Sequence, residues 1–427
     1  MSIRQLYLFS ALAWAAGQAP LAWAQAAPPA PSGELTLVQA LTAARDNSDV
    51  ALARHALSAA RADILAADHA PAPVLTAKAA SMDLQNGIGP GNVLTRKRID
   101  KSIGIDWLWE RGNKRELRTL TAQRAMDAAQ SDVQDMQVLQ LQAALAAYYD
   151  LLAAQERLRE TREIERAMAE LDRVAARRLQ AGDLARQDAA RTRIEAERAR
   201  SDTRLAELAQ EQSALALAQL IARGPGLAAC ACDWPTRLDG PAPGGDLSAW
   251  AESRADVLAA VARVQSAQAA LDNAMALRKA DVTIGASYDH FPGTSNRLLE
   301  LRAQIPLNWG YRFDGEIGRA QAALSAAQEL LDKTRRLALL DLQSLQQQAA
   351  TAARRAAGYE DGILPRAREV AQSAELAYSK GAISLTDLLD ARRTLRATVL
   401  EALAARADYA KAQGHWLLRT QPQVLLP

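Results

Sequence analysis

Residues 113–181 read NKRELRTLTAQRAMDAAQSDVQDMQVLQLQAALAAYYDLLAAQERLRETREIERAMAELDRVAARRLQA. The stretch holds neither Gly nor Pro and is filled with Ala, Leu, Gln, Glu and Arg, all strong helix formers. At 1.5 Å per residue it makes a rod of roughly 100 Å. Gly182 interrupts it, and a second uninterrupted run goes from Asp183 to Arg223, so the pair reads as a helical hairpin turning near Gly182. Such a rod cannot stand alone. Apolar residues recur at three and four, as in Leu205 and Leu208, then Leu385, Leu388, Leu389, Leu395 and Val399. This is the stripe of helices packed along their length as a coiled coil.

The plan returns roughly 200 residues later, a spacing that marks an internal repeat. Arg178 to Asp188 (RLQAGDLARQD) aligns with Ala377 to Asp387 (AYSKGAISLTD), placing Gly182 on Gly381, Leu184 on Ile383 and Asp188 on Asp387. Asp49-Val50 before one Ala-rich helix is answered by Asp256-Val257 before another, and Ile105 with Trp109 by Ile305 with Trp309. The expected organisation is a first repeat over 25–223 with its hairpin at 113–223, then a second over 247–427 with its hairpin at 316–413. Between them, residues 224–246 gather Gly and Pro in the composition of a linker.

Each repeat also holds two short stretches that are not rod. Ser102 to Trp109 and Leu299 to Ile305 alternate large apolar with small or polar residues, the pattern of a two-faced strand. Strands are expected at about 74–82, 102–109, 282–288 and 299–307, joined within each pair by residues 83–100 and 289–297. Four strands with one apolar face cannot close a barrel, since transmembrane barrels need at least about eight. Several chains must therefore contribute. The fold class expected is mainly α with a membrane β-barrel portion, a barrel extended by a helical tube.

The chain has 427 residues, 49% hydrophobic and 4% aromatic, and about a fifth are Ala, far above ordinary usage. With 51 basic against 49 acidic side chains the net charge is +2, which removes the bulk electrostatic case for nucleic acid. The start carries Arg4, an apolar run from Leu6 to Ala16 and Ala22-Trp23-Ala24, which is the plan of a secretory signal peptide over 1–24. Cleavage is expected before Gln25, and no Cys follows the site to take a lipid. No phosphate loop, serine elbow or His-Glu metal helix is present, so no enzyme and no cofactor is expected. Cys230 and Cys232 stand one residue apart without a nearby His; an oxidising compartment would pair them, and no metal site is expected.

These features together resemble the TolC family of outer-membrane efflux proteins over essentially the whole mature chain. Trp109 to Arg115, Arg254 to Ala260 and Asp314 to Ala320 resemble segments of its cobalt-zinc-cadmium branch, the outer-membrane partners of heavy-metal pumps. The resemblance implies a homotrimer whose barrel takes four strands per chain, twelve in all, with a periplasmic tunnel. It implies a passive duct opened when a periplasmic adaptor (membrane fusion) protein and an inner-membrane resistance-nodulation-division pump dock. A Gram-negative outer membrane is the implied location. Ducts for drug efflux or type I protein secretion share this architecture, and a secreted coiled-coil structural or adhesion protein is the competing class.

The family places the two turns at the periplasmic tip, which makes Gly182, Asp183, Leu184, Asp188, Gly381, Ile383, Ser384 and Asp387 the candidates for adaptor docking and gating. Simple helix termination accounts equally for the glycines, and the helix dipole for Asp188 and Asp387; repeated around a trimer, these carboxylates would also form acidic rings that favour cations. Lipid-facing candidates are Ile103, Ile105, Trp107, Tyr288, Leu299, Leu301 and Ile305, with Trp107 and Tyr288 in an interfacial aromatic belt. Trp109 and Trp309 are expected to plug the strand-to-helix junctions.

Overall fold

A computed structural model describes residues 34–82, 85, 99–241, 245–292 and 294–425. The expected signal peptide, and most of the connection expected over 83–100, lie outside the described residues. Among the described residues, the first elements are α1 (Leu37–Ala44) and α2 (Ser48–Ala67), then β1 (Val74–Ala80) and β2 (Asp100–Trp109), then the long α3 (Lys114–Ala181) returning as α4 (Arg186–Leu220). After a connection come α5 (Leu247–Glu252), α6 (Ala255–Ala276), β3 (Val282–Phe291), β4 (Ser295–Gln304), α7 (Asp314–Ala357), α8 (Leu364–Ser379) and α9 (Leu385–Thr420). Among the described residues, no helix is long and apolar enough to cross a membrane.

Local chemistry sets the ends of these elements. Thr36 and Gln39 close a capping box on α1, and the Asn47 side chain accepts from the Asp49 amide to start α2. The 68 residues of α3 run unbroken, about 100 Å at 1.5 Å per residue. The second repeat differs. Its descending arm is interrupted by a π-helical turn over Gly358–Ile363 before α8 resumes with Pro365 in its first turn. Proline has no amide to give to the ladder and its ring crowds the preceding turn, so a widened turn beside two glycines absorbs the misfit.

The main core lies halfway along α3, where Leu145, Tyr148 and Leu152 meet Leu41 of α1, Leu217 of α4 and Leu418 of α9. The connection after α4 is tied into this core. The backbone of Leu35 pairs with Ala229, and the Tyr148 hydroxyl donates to the Asp233 carboxylate, which also accepts from the Leu37 amide at 2.8 Å. Trp234 is buried against Tyr149 and lies under the Arg406 guanidinium at 5.0 Å. The linker composition of residues 224–246 thus hides a fixed seam, held by single polar side chains. Cys230 and Cys232 are disulfide-bonded there.

The motif at Arg254 also has a structural explanation. Its nearly buried guanidinium pairs with Asp256 at 2.8 Å and with Asp341 of α7 at 2.7 Å, so the residue before α6 locks that helix to α7. The corner after β2 is built in the same way. Lys114, also nearly buried, reaches Asp281 at 2.7 Å and the Lys279 carbonyl at 2.8 Å, joining the start of α3 to the entry of β3.

Candidate functional site

The strands form one antiparallel sheet in the order β1-β2-β3-β4. Register aligns Leu75, Ile105, Ala286 and Leu301 in one row, Ala77, Ile103, Tyr288 and Leu299 in the next, and Trp107, Ile284 and Ala303 in a third. Because side chains alternate, these rows share one face. That face is uncovered: Ile105 is 51% exposed and Leu301 77%. Six of the seven residues expected to meet lipid therefore stand on one continuous apolar surface, and Ile305 follows directly after β4, also exposed. Trp109 continues the same face, and Trp309 is 86% exposed. Neither plugs a junction within this chain; the corners are closed instead by Lys114 and Asp281, and by Arg278 with Asp314 at 3.1 Å.

The opposite face is polar. Asp106, Gly285 and Arg302 form one of its rows, and the Arg302 guanidinium reaches Asp106 at 2.6 Å across the middle strand. Only glycine permits this crossing, since a Cβ at Gly285 would lie 2.2 Å from the Asp106 oxygen. Ser287 and Asp289, both buried, are hydrogen-bonded on the same face at 3.1 Å. A sheet with one exposed apolar face and one charged face, bounded by two edges unpaired among the described residues, is suited to join other strands around a wet interior.

At the other end of the rods the two turns share one geometry. At the first, the Asp183 amide donates to the Arg178 carbonyl at 2.9 Å and the Gly182 amide to Leu179 at 3.1 Å. At the second, Ala382 donates to Ala377 at 2.9 Å and Gly381 to Tyr378 at 3.0 Å. Both are Schellman stops, with Gly182 at φ 80° and Gly381 at φ 72° in the left-handed region that glycine takes without strain. Leu184 and Ile383 turn inward onto a common apolar cluster with Met168, Leu385, Leu388 and Leu389.

The carboxylates of the two turns are not equivalent. Asp387 closes a capping box with Ser384, accepting from its hydroxyl at 2.7 Å and its amide at 3.1 Å. Those bonds, the hydroxyl first, hold its carboxyl below the usual carboxylate range. Asp188 has no such partner upstream, because Ala185 caps α4, and it lies 3.7 Å from Arg191. Asp183 is exposed. The two hairpins are laced together near the tip by Arg191 to Thr386 at 3.0 Å, Arg393 to Glu195 at 2.6 Å, and Arg178 over the Tyr378 ring at 5.7 Å. The Arg393 guanidinium lowers the pKa of the Glu195 carboxyl, which is itself nearly covered. Nothing local to Glu195 or Arg393 in the sequence singles out this pair; only their spacing of about one repeat hinted that they could meet.

A polar groove of about 650 Å³ runs between α7 and α9, lined by Gln347, Gln348, Arg355, Asp408, Lys411 and His415 among others. Its charges are satisfied within the chain, with Arg355 to Asp408 at 3.1 Å and Lys411 to Asp150 at 2.8 Å. Among the described residues, no group of three or more His, Cys, Asp or Glu could hold a metal ion.

Comparison with known proteins agrees with this geometry. Residues 247–415 match the family described as outer membrane efflux protein. No curated protein matches the sequence. A membrane protein from Pseudomonas aeruginosa is similar in structure, with a TM-score of 0.76 at 18% identity over 90% of this chain and 89% of that one. CusC, a transmembrane channel former, gives 0.70 at 17% identity over 90% and 91%. The CmeC outer membrane channel of Campylobacter jejuni gives 0.69 at 15% identity over 90% and 85%. Residues 247–415 thus carry the sequence pattern of the outer membrane efflux proteins, and the described chain is similar in fold to solved outer-membrane channels.

Proposed function

We propose that this protein is the outer-membrane duct of a tripartite efflux pump, a passive homotrimeric conduit without an enzymatic activity of its own. The observation that carries the reading is the sheet: its apolar face is exposed across all four strands, its other face is charged, and its edges are open. Strands β2, β3 and β4 are 10 residues each, and about 9 to 11 tilted residues span a bilayer. Three such sheets close a barrel, and the helical hairpins below continue the conduit into the periplasm. The turns at Gly182 and Gly381 are the points where a periplasmic adaptor docks, with an inner-membrane resistance-nodulation-division pump behind it.

Heavy-metal cations are the proposed cargo, supported by the three short segments that resemble the cobalt-zinc-cadmium branch. A drug or protein cargo would use the same fold, so the cargo is decided by assay. Deleting the protein from cells that carry its neighbouring pump should lower tolerance to cobalt, zinc or cadmium while drug tolerance is kept. Loss of drug tolerance alone would transfer the cargo to that class. A secreted coiled-coil protein would instead be recovered from the soluble periplasm or medium, without heat-resistant trimers in outer membranes.

A further inference from the structure

The disulfide between Cys230 and Cys232 sits at the head of the seam that ties the inter-repeat connection to α3, with the two Cα atoms 5.2 Å apart. A bridge across one intervening residue closes so short a loop that it removes little entropy from the unfolded chain. The turn is held by other bonds. The Cys230 amide donates to the Leu35 carbonyl at 3.0 Å, the Asp233 amide donates to the Cys230 carbonyl at 3.1 Å, and Asp233 is gripped by Tyr148 and the Leu37 amide. Cys232 is exposed and Cys230 half-buried. The bridge is therefore dispensable for the backbone beneath it and open to attack from solvent.

We propose that Cys230 and Cys232 form a redox-gated site for a soft monovalent cation of the copper(I) type, closed as the disulfide and open as the dithiol. Opening is thiol–disulfide exchange: a dithiol reductant attacks the exposed Cys232 sulfur, the bond between the two sulfurs breaks, and the reductant leaves as its own disulfide. Cys230 and Cys232 together gain two electrons and two protons. Binding the cation then releases both protons, leaving two thiolates on one metal. The seated turn holds the two residues close, with their Cα atoms 5.2 Å apart. No third ligand is at hand, because Asp233 is committed to the seam and no larger His, Cys, Asp or Glu cluster exists among the described residues. Two thiolates suit a soft ion in two-coordination and leave a tetrahedral zinc ion half-ligated. The site stands independently of the duct reading.

The test uses the full-length protein in detergent, reduced under anaerobic conditions with a phosphine that is then removed. Copper(I) is supplied from a chromogenic chelator and its transfer measured. The reduced protein should take one copper(I) per chain and the oxidised protein none, with zinc(II) held at least about 100-fold more weakly. Cys230→Ser and Cys232→Ser should each abolish uptake. The oxidised and reduced wild-type comparison needs no variant, so a variant that assembles poorly does not obscure the result. Uptake by the oxidised form equal to that of the reduced form, no uptake by the reduced form, or unfolding of the protein on reduction would each overturn the proposal.

Discussion

Replacing Ile105 with Arg puts the proposed lipid face under direct test. Ile105 is the sixth of ten residues in β2 and stands in the row with Leu75, Ala286 and Leu301, so its side chain sits near mid-depth on the exposed apolar face. An Arg on the lipid face near the bilayer midplane costs roughly 2 to 4 kcal/mol. At about 1.4 kcal/mol per factor of ten, each chain loses roughly thirtyfold to nearly a thousandfold in insertion equilibrium. If three chains share the proposed barrel, the sum reaches ~6 to 12 kcal/mol, as large as the whole stability of an ordinary domain. Gln304→Arg is the matched control: it adds the same charge to β4 on the polar face. Heat-resistant trimer in isolated outer membranes, read by unboiled gel electrophoresis, should vanish for Ile105→Arg and persist for Gln304→Arg. Equal trimer yields from the two variants would refute the facing of the sheet, and with it the barrel.

Three further outcomes follow from the tip, the seam and α9. The double variant Gly182→Trp, Gly381→Trp should cost about 1 to 2 kcal/mol at each left-handed position, leave trimers and localisation intact, and lose both adaptor cross-linking and metal tolerance; retained cross-linking would reduce the turns to helix stops. Tyr148→Phe removes the buried hydroxyl that serves Asp233, the Leu35 carbonyl and the Cys230 amide; it should lower stability by about 1 to 3 kcal/mol, seen as a fall in the melting temperature, and an unchanged value would mean water replaces it. Burial first, then the nearby Lys411 and Arg419 charges, hold the His415 imidazole below its ordinary pKa despite its bond to the Gln142 carbonyl. The folded state thus resists protonation, so its stability is greatest above about pH 6.5 and declines as pH falls through that value toward the lower folded pKa. His415→Gln should flatten this slope in pH-dependent thermal unfolding, and an identical slope would assign it to other groups.

The rods were legible because nothing in residues 113–181 competes with helix, and because Gly182 and Gly381 each offer the one residue type a left-handed stop favours. The strands were legible by alternation, but their ends were not: β3 runs on to Phe291 and β4 starts at Ser295, in residues whose polar composition reads as loop. The π-helical turn escaped because residues 316–413 read as one hairpin without weighing Pro365, whose missing amide and ring the wider turn accommodates. The seam escaped for another reason. Asp233 acts through Tyr148, 85 residues away, and no local pattern encodes such a partner. At the tips the positions were legible while the lacing was not, since Glu195 and Arg393 look like any helix-surface charges until α4 and α9 lie side by side.

The two turns also differ in how the helix that follows each of them is capped. Ser384 gives the second returning helix a hydroxyl cap, and Ala185, its counterpart, gives the first none. A missing cap makes a helix start easier to unravel by about 1 kcal/mol. The two turns of a chain are thus unequal springs, one stiff and one soft. A ring that three chains built from these six turns would alternate firm and yielding points, and so repeat threefold in mechanics. Strain applied evenly at that end is taken up first at the start of α4, and movement there can precede movement at α9 without any difference in the force applied.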